Sequence, residues 1–267
     1  MQKIEAKPFI KWAGGKQALA AQIVAGVPEE FDTYFEPFLG GGSVLLSLHA
    51  EKSVVNDANH WLVETYQAVR DDWRRVAKIL DDLPNTKDDF IRIRTASHRE
   101  KNTWKRAAYF IFLNKTCFRG LFRVNRQNEF NVPYGDYDRR YYDPDNLAAA
   151  SVAIQSVNFL CGDFELCLSG ITKRDFVYFD PPYYKAGGYS DFNRYTADQF
   201  VDADHIRLAA MCRELDHKGV RWLLSNSDTA FIRSLYDGYT IREIPARRDI
   251  NLKSRSRNVT ELLITNY

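Results

Sequence analysis

The chemistry that this sequence could perform is concentrated in Asp180-Pro181-Pro182-Tyr183, which directly follows the apolar segment Phe176 to Phe179. The Asp180 carboxylate and the Pro181 carbonyl are two hydrogen-bond acceptors, and neither proline has a backbone N–H that would compete for them. Two such acceptors suit a planar exocyclic amine, which has two N–H groups, and Tyr183 offers a flat face for stacking. The tetrapeptide is also compatible with an ordinary proline-rich turn, so the other motifs decide its meaning.

The element that must carry this turn is a buried parallel strand. Phe176 to Phe179 is short, apolar and rich in aromatic and β-branched residues, as strands buried on both faces are. The two prolines end the strand because they cannot extend its hydrogen-bond ladder. Ligands of open α/β sheets bind beyond the carboxyl ends of the strands, so the turn lies where a substrate is expected.

A glycine turn near the N-terminus predicts a nucleotide-like cofactor. Thr33 to Leu39 is a second strand candidate, and it leads through Gly40-Gly41-Gly42-Ser43 into an apolar-periodic helix, Val44 to Ala50. Strand, glycine turn and helix bring such a ligand against a helix N-terminus. Leu45 stands where a dinucleotide fingerprint has its third glycine, and no Gly-Lys-Ser/Thr phosphate loop is found, so a nucleoside without a triphosphate fits better.

Two acidic residues add to the predicted cofactor site. Ser53 to Asp57 predicts the next strand, and Asp57 stands 17 residues after Gly40, near the spacing at which a carboxylate meets ribose hydroxyls. Farther along, a strand from Val152 to Phe159 is predicted to precede Asp163 and Phe164. Asp163 could accept a hydrogen bond from an adenine amino group while Phe164 stacks on the ring, although taken alone the pair is better explained as a turn aspartate and a core phenylalanine.

The N-terminal segment Lys11-Trp12-Ala13-Gly14-Gly15-Lys16 places two glycines between lysines. Glycine allows a backbone to approach a ligand closely. The segment therefore either caps an anionic or zwitterionic ligand or forms an ordinary turn with solvated lysines.

The alternation of strand and helix disappears between Ala58 and about Ala150, where the periodicity predicts helices over Trp61–Leu80, Phe90–Thr95 and Asn102–Asn114. Such a stretch inside an α/β frame suggests an inserted subdomain. The expected division is a catalytic domain formed by residues 1–57 and 151–267 around an inserted domain formed by residues 58–150.

Two further elements are expected in the C-terminal part of the chain. The sheet is expected to be closed by an antiparallel pair of strands, Tyr239–Ile244 and Val259–Thr265. The polar segment 185–193 is a candidate lid.

The second half of the insert is strongly basic. Between Arg99 and Arg126 lie eight basic residues, opposed only by Glu100. Leu121–Asn125 and Glu129–Val132 could pair as a β-hairpin, whose arginine, asparagine and apolar side chains would suit a DNA groove. A second basic loop is formed by Arg247, Arg248, Lys253, Arg255 and Arg257. A solvated basic face is the simpler interpretation of either run.

Composition restricts the classes of protein to which this sequence can belong. The 267 residues carry a net charge of only +2, so binding to nucleic acid must come from local clusters of basic residues. The four cysteines match no zinc spacing and are expected to be reduced, and no metal site is predicted. The charged N-terminus does not resemble a signal peptide, and no apolar run is long enough to span a membrane, so a cytoplasmic protein is expected.

Together these motifs resemble the Dam-type DNA adenine-N6 methyltransferases. The resemblance covers nearly the whole chain and is carried, in order, by Lys11–Lys16, Phe35-Glu-Pro-Phe-Leu-Gly-Gly-Gly-Ser43, Asn56-Asp57, Asn114–Gly135 with Phe130-Asn-Val-Pro-Tyr-Gly135, and Asp180–Tyr183. It implies an α/β fold: a Rossmann-like methyltransferase sheet with an inserted, mainly helical target-recognition domain carrying a β-hairpin. It also implies S-adenosylmethionine as cofactor, S-adenosylhomocysteine as product, and double-stranded DNA, within GATC, as substrate.

The resemblance also implies a role for individual residues. The cofactor would be surrounded by Trp12, Lys16, Phe38, Gly40, Asp57, Asp163, Phe164 and Asp180. The target amine would be held by Asp180 and the Pro181 carbonyl in the turn completed by Pro182, with Tyr183 stacked on an extrahelical adenine. DNA would be contacted by Lys11, Phe118, Arg119, Leu121, Arg123, Asn125 and Pro133.

Other interpretations stay open from sequence alone. Cytosine-N4 methylation uses a related turn, although serine more often opens that version. A DNA-binding protein that has lost catalysis would keep the basic insert. A nicotinamide dehydrogenase is disfavoured by Leu45, and RNA as substrate has no positive support. One chain carries every part, so a monomer without an obligate protein partner is expected, in a bacterial-type or phage-encoded enzyme.

Overall fold

The structure is a computed structural model that describes residues 5–125, 127–184, 200–247 and 258–267. Within these ranges, seven strands form one sheet in the order β3-β2-β1-β4-β5-β7-β6. Their bounds are β1 Tyr34–Glu36, β2 Ser53–Asp57, β3 Val157–Cys161, β4 Phe176–Phe179, β5 Arg221–Ser227, β6 Thr240–Arg247 and β7 Asn258–Thr265. The expected α/β fold is therefore present. The candidate lid and the basic residues 248–257 lie outside the described residues.

The first five strands are parallel, and β7 runs antiparallel between β5 and β6. The expected antiparallel closing pair is thus confirmed. β1 pairs with β2 on one side and β4 on the other, with Tyr34 opposite both Ser53 and Phe176. The strand order reverses at this point, so the glycine turn after β1 and the Asp180 turn after β4 leave the same edge of the sheet side by side.

The described helices are α1 Ala20–Val24, α2 Ser43–Leu48, α3 His60–Asp81, α4 Lys87–Ser97, α5 Thr103–Thr116, α6 Pro144–Ala153, α7 Asp202–His217 and α8 Ala230–Leu235. The helices of the insert begin at side chains that cap free backbone N–H groups. Asn59 caps α3, Thr86 caps α4, Asn102 caps α5 and Asp143 caps α6. These polar residues fix where the helical segments start.

The predicted strand Val152–Phe159 is wrong in its first half. Val152 belongs to the last turn of α6, is 67% exposed, and β3 begins only at Val157. The apolar run from Leu147 to Ile154 has no clear strand or helix period, so the alanine-rich segment is assigned by its packing against α3.

The insert packs directly on the sheet. Tyr66 of α3 stacks on Phe159 of β3 with ring centroids 5.7 Å apart, and α3 and α5 share one hydrophobic cluster with Tyr34 and Val55 of the sheet. Burial of these aromatic side chains stabilises the contact between the insert and the sheet. The division into a catalytic and an inserted domain stays a prediction.

The expected hairpin forms as a short antiparallel contact. Val124 bridges Phe130, the Asn125 N–H donates to the Glu129 carbonyl at 2.9 Å, and the Asn131 N–H donates to the Arg123 carbonyl at 3.0 Å. The two segments pair in the predicted direction but are too short to form full strands.

Candidate active site

Lys16 and Asp180 lie at the centre of the candidate site. The Lys16 Nζ is 2.8 Å from Oδ1 of Asp180 and 4.5 Å from the centroid of the Tyr183 ring. It also donates to the Gly14 carbonyl at 2.5 Å, and its side chain is only 5% exposed. Lys16, from the N-terminal segment, therefore meets Asp180 and Tyr183 of the distant catalytic turn beyond the carboxyl end of β4.

The Asp180 carboxyl has two distinct oxygens. Oδ1 is bonded both by Lys16 and by the Ser225 hydroxyl at 2.8 Å, whereas Oδ2 receives no hydrogen bond from any residue that the structure describes. Burial raises the pKa of Asp180, and the charge of Lys16 and the hydrogen bonds from Lys16 and Ser225 lower it. A carboxylate with one fixed oxygen and one open oxygen can accept a hydrogen bond from an incoming donor.

The turn after Asp180 is held by polar residues of β5 and β7. The Tyr183 hydroxyl donates to Glu261 at 2.9 Å, the Tyr184 N–H donates to Asn226 at 3.2 Å, and the Ser227 hydroxyl donates to the Tyr184 carbonyl at 2.6 Å. None of these supporting residues was assigned to the site from sequence. The polar run Ser225–Asp228 at the end of an apolar strand was the signal that could have identified β5.

Asp57 is the last residue of β2 and is hydrogen-bonded to the glycine turn. Its Oδ2 accepts from the Gly40 N–H at 2.9 Å, and its Oδ1 accepts from the Asn59 N–H at 2.9 Å. Burial raises the pKa of Asp57 to about 6, although both backbone hydrogen bonds lower it. Each oxygen keeps a lone pair, so the carboxylate can accept from vicinal hydroxyl groups.

Trp12 packs against the same glycine turn. Gly40 has a φ of +49°, and a Cβ at this position would lie 2.8 Å from Cδ1 of Trp12. Trp12 in turn stacks on Phe122 of the insert, with ring centroids 5.3 Å apart. Only glycine permits both the backbone conformation and this close approach, and the indole links the predicted cofactor loop to the basic segment.

Phe38 and Phe164 meet with ring centroids 5.4 Å apart, and Phe200 contacts both rings. Asp163 is engaged elsewhere: its Oδ2 accepts from Arg207 at 2.7 Å, and its Oδ1 accepts from the Glu165 N–H at 3.0 Å. The Arg207 guanidinium also lies 4.5 Å from the centroid of the Phe164 ring. Arg207 and Phe200 are neighbours of the predicted cofactor residues that sequence reasoning missed.

Reciprocal hydrogen bonds join Lys11 to the end of α5. The Lys11 N–H donates to Oδ1 of Asn114 at 2.7 Å, and Nδ2 of Asn114 donates back to the Lys11 carbonyl at 2.8 Å. Asn114 is fully buried. This pair fixes the N-terminal segment, which also carries Trp12 and Lys16, against the basic insert.

The predicted DNA-contacting residues lie along the segment after α5. Phe118 is 45% exposed, and its N–H donates to the Pro133 carbonyl at 2.8 Å. The Arg119 guanidinium lies 5.3 Å from the centroid of the Phe118 ring. Half-buried residues of the same segment are Arg119, Leu121, Arg123 and Asn125, and Pro133 is exposed. Arg123 donates to Oδ1 of Asn131 at 2.8 Å, and Asn125 donates to Glu129 at 3.0 Å.

Lys115 is a cation that sequence reasoning counted among the basic residues without assigning it a role. Its pKa is lowered to about 8, chiefly by burial and then by the charges of Lys11 and Arg139. The pKa of Lys11 is lowered by burial and by Arg139 as well, and Arg139 and Lys11 both approach the Tyr137 ring, at 4.7 Å and 6.0 Å. These mutually repelling cations favour an anionic ligand.

The parallel sheet, with its strand order reversing between β1 and β4 and β7 inserted antiparallel, has the Rossmann-like architecture of methyltransferases. Residues 12–250 match the family model described as the D12 class N6 adenine-specific DNA methyltransferases. The chain belongs to this family, and it is therefore an adenine-specific DNA methyltransferase, which the sequence resemblance predicted.

Several curated proteins are similar to the chain along its whole length. It is 40% identical to the type II methyltransferase M.MjaIII of Methanocaldococcus jannaschii, an alignment covering 99% of this chain and 100% of the relative. It is 36% identical to the type II methyltransferase M1.LlaDCHI of Lactococcus lactis subsp. cremoris, covering 99% and 97%. It is 32% identical to the DNA adenine methylase of Haemophilus influenzae, covering 98% and 94%. The family assignment decides against cytosine-N4 methylation.

Within the described ranges, no three His, Cys, Asp or Glu side chains lie close enough to hold a metal ion. No described helix is both long and apolar enough to cross a membrane.

Proposed function

We propose that the chain transfers a methyl group from S-adenosylmethionine to the N6 amine of an adenine that has left duplex DNA, within GATC. Membership in the adenine-specific family supports the reaction and the base. The observation that carries the site is Asp180, whose Oδ1 is fixed by Lys16 and Ser225 and whose Oδ2 accepts from no described residue. The Tyr183 ring lies beside it.

The residues beyond β1 and β2 fit an adenosine-type cofactor. Asp57 offers acceptor oxygens at the position expected for ribose hydroxyls, and the Gly40 turn gives close backbone approach. The aromatic pair Phe38 and Phe164 offers apolar faces for a purine. S-Adenosylmethionine bound here would supply an electrophilic methyl group. The proposed cofactor residues are completed by Trp12, Lys16 and Asp163. Lys16 acts through its ion pair with Asp180, and Asp163 acts through its hydrogen bond with Arg207.

The catalytic turn would act by holding the amine. Oδ2 of Asp180 and the Pro181 carbonyl accept the two N–H groups, and Pro182 keeps the backbone rigid. Asp180 is stabilised as a carboxylate by Lys16, so its contribution is to orient the amine and to stabilise the positive charge that develops on nitrogen.

Adenine must leave the helix because its amine is otherwise paired and stacked, at a cost of a few kcal/mol. The exposed Phe118 ring suits intercalation, and Arg123, supported by Asn131, suits a guanine edge. Lys11, Arg119, Leu121, Asn125 and Pro133 form the rest of the proposed DNA surface. We assign all of this surface except Lys11 to an inserted recognition domain, residues 58–150, in a monomeric enzyme.

The test is methyl transfer from labelled S-adenosylmethionine to a GATC duplex and to single-base variants, followed by nucleoside analysis. N6-methyladenine confined to GATC supports the full proposal. Methylation of another sequence would discard GATC and retain the reaction. Asp180→Ala should abolish turnover while DNA binding is preserved, and a fully active variant would refute the assigned role of Asp180.

A further inference from the structure

Behind Asp180 lies a chain of two buried hydroxyl groups. The Ser225 Oγ is 2.8 Å from Oδ1 of Asp180, and the Tyr178 hydroxyl is 2.9 Å from the Ser225 Oγ. Tyr178 is fully buried and Ser225 is 1% exposed. We propose that Tyr178 and Ser225 are positioning residues that hold Asp180 in the orientation required for methyl transfer. This inference rests on the proposed role of Asp180.

The sheet explains why these three residues meet. Phe179 of β4 pairs with Leu224 of β5, so the following residues, Asp180 and Ser225, are also neighbours across the two strands. Tyr178 precedes Asp180 by two positions and therefore points to the same face of the sheet. Strand register thus places one hydroxyl beside the carboxylate and the second behind it.

The direction of the hydrogen bonds follows from the number of protons. Ser225 has a single hydroxyl proton, and the Asp180 carboxylate can only accept, so Ser225 donates to Asp180. Ser225 is then an acceptor for Tyr178, whose hydroxyl has no other described partner. A buried phenol normally finds a partner, and hydrogen bonds in such a chain strengthen one another.

The hydroxyl groups of Ser225 and Tyr178 orient the Asp180 carboxylate and do not transfer a proton to or from it. Tyr178 is enclosed at its inner end, and burial raises its pKa well above the ordinary value of 10, so it keeps its proton and remains a donor. Lys16 binds the same Asp180 oxygen from the site side. Two donors on Oδ1 fix the carboxylate rotation and direct Oδ2 to the position assigned to the amine.

The experiment is a double-mutant cycle with Tyr178→Phe and Ser225→Ala in the full-length protein. Each single variant should lower kcat roughly 10- to 100-fold, with the KM values for DNA and cofactor unchanged. In Ser225→Ala the acidic limb of the pH–rate profile should move to higher pH, because Asp180 loses a hydrogen bond that lowers its pKa. Tyr178 acts through Ser225, so the double variant should be no slower than Ser225→Ala alone.

Two controls separate positioning from general structural effects. Ser225→Thr keeps the hydroxyl and should restore most of kcat. Tyr236→Phe removes another buried phenol, one that packs against Trp222 with ring centroids 6.0 Å apart, and should leave the pH–rate profile unchanged. Tyr178→Phe preserves the ring, so it tests the inference even if Ser225→Ala fails to fold.

The outcomes distinguish this inference from the proposed function. Additive losses in the double variant, or an unmoved acidic limb in Ser225→Ala, would overturn the positioning role of Tyr178 and Ser225. If Asp180→Asn is inactive while Tyr178→Phe and Ser225→Ala both retain wild-type kcat, only the positioning role fails. If Asp180→Asn is fully active, the assigned role of Asp180 is wrong, and the positioning role that rests on it is wrong as well.

Discussion

The Lys16 ammonium forms an ion pair with Asp180 at 2.8 Å inside a site where the lysine is 5% exposed and the aspartate 18% exposed. Burying two charges is costly, and their attraction offsets that cost only when both partners are present. The N-terminal segment and the catalytic turn are therefore linked by a contact whose loss would leave an uncompensated charge at the reacting centre.

Lys16→Met should move the acidic limb of the pH–rate profile to higher pH. Lys16 lowers the pKa of Asp180 in opposition to burial, so its removal lets that pKa rise, and a higher pH is needed to ionise the carboxylate. The measurement is kcat/KM for DNA between pH 5 and 9. Lys16→Arg retains the charge and should retain the wild-type limb, whereas an unmoved limb in Lys16→Met would show that the ion pair does not govern Asp180.

Asp57 should make cofactor binding dependent on pH. Its pKa is raised from 3.8 to about 6, and its ionised form is the better acceptor for hydroxyl groups, so affinity should fall below pH 6, by roughly tenfold per pH unit at most. Calorimetric titration of the DNA-free protein with S-adenosylmethionine measures this effect. Asp57→Asn should bind weakly with little pH dependence, and an equally steep dependence in that variant would assign the titration to another group.

The contribution of Asp57 to the stability of the cofactor-free protein should depend on pH in the opposite direction to cofactor affinity. Because the folded protein holds the Asp57 proton more tightly than the unfolded chain, this contribution to stability is fully present below pH 3.8 and is lost as pH rises through about 6. The difference in Tm between wild type and Asp57→Asn, measured at several pH values, isolates it from other titrating groups.

Lys115 should make DNA affinity fall above pH 8. Its pKa is lowered to about 8, so it loses its charge between pH 7 and 9, and a phosphate partner would lose an attraction. Fluorescence anisotropy of a labelled duplex measures the change. Lys115→Arg should bind with little pH dependence in this range because arginine stays charged. The exposed Lys105, whose pKa is raised beside Glu100, provides the matched control, and Lys105→Arg should keep the wild-type dependence.

Arg123→Ala should relax discrimination at one base pair by about 1–3 kcal/mol. Arg123→Lys separates the possible contacts, since lysine keeps the charge but lacks the planar fork that binds a guanine edge with two hydrogen bonds. Competition binding with single-base variants of GATC is the readout. If both variants weaken binding equally on every sequence, or lysine restores it fully, Arg123 contacts the phosphate backbone.

The sequence was most informative where burial and backbone rules act locally. The strand before Asp180 was predictable because a short apolar run ended by two prolines has few alternatives, and the Gly40 turn and Asp57 followed from spacing along neighbouring strands. The partners that tune these groups were not predictable. Ser225 lies 45 residues from Asp180, and Glu261 lies 78 residues from Tyr183, so strand order and register decide these contacts. The low pKa of Lys115 depends on burial, which a count of basic residues does not reveal.

Gly40→Ala should weaken cofactor binding as well as lower stability. The backbone at Gly40 has a positive φ, which costs an alanine about 1 kcal/mol, and its Cβ would lie 2.8 Å from the Trp12 indole. Trp12 would have to move away from Phe122, which disturbs the loop whose N–H donates to Asp57.

Gly170→Ala is the matched control because Gly170 also has a positive φ, of +75°, but a Cβ there has no neighbour within 4 Å. Both variants should therefore lose a similar backbone contribution to Tm, and only Gly40→Ala should raise the Kd for S-adenosylmethionine. Equal Kd values in the two variants would mean that the contact between Gly40 and Trp12 does not shape the cofactor site. A selective loss in Gly40→Ala would connect the glycine turn to cofactor binding through the position of a single indole ring.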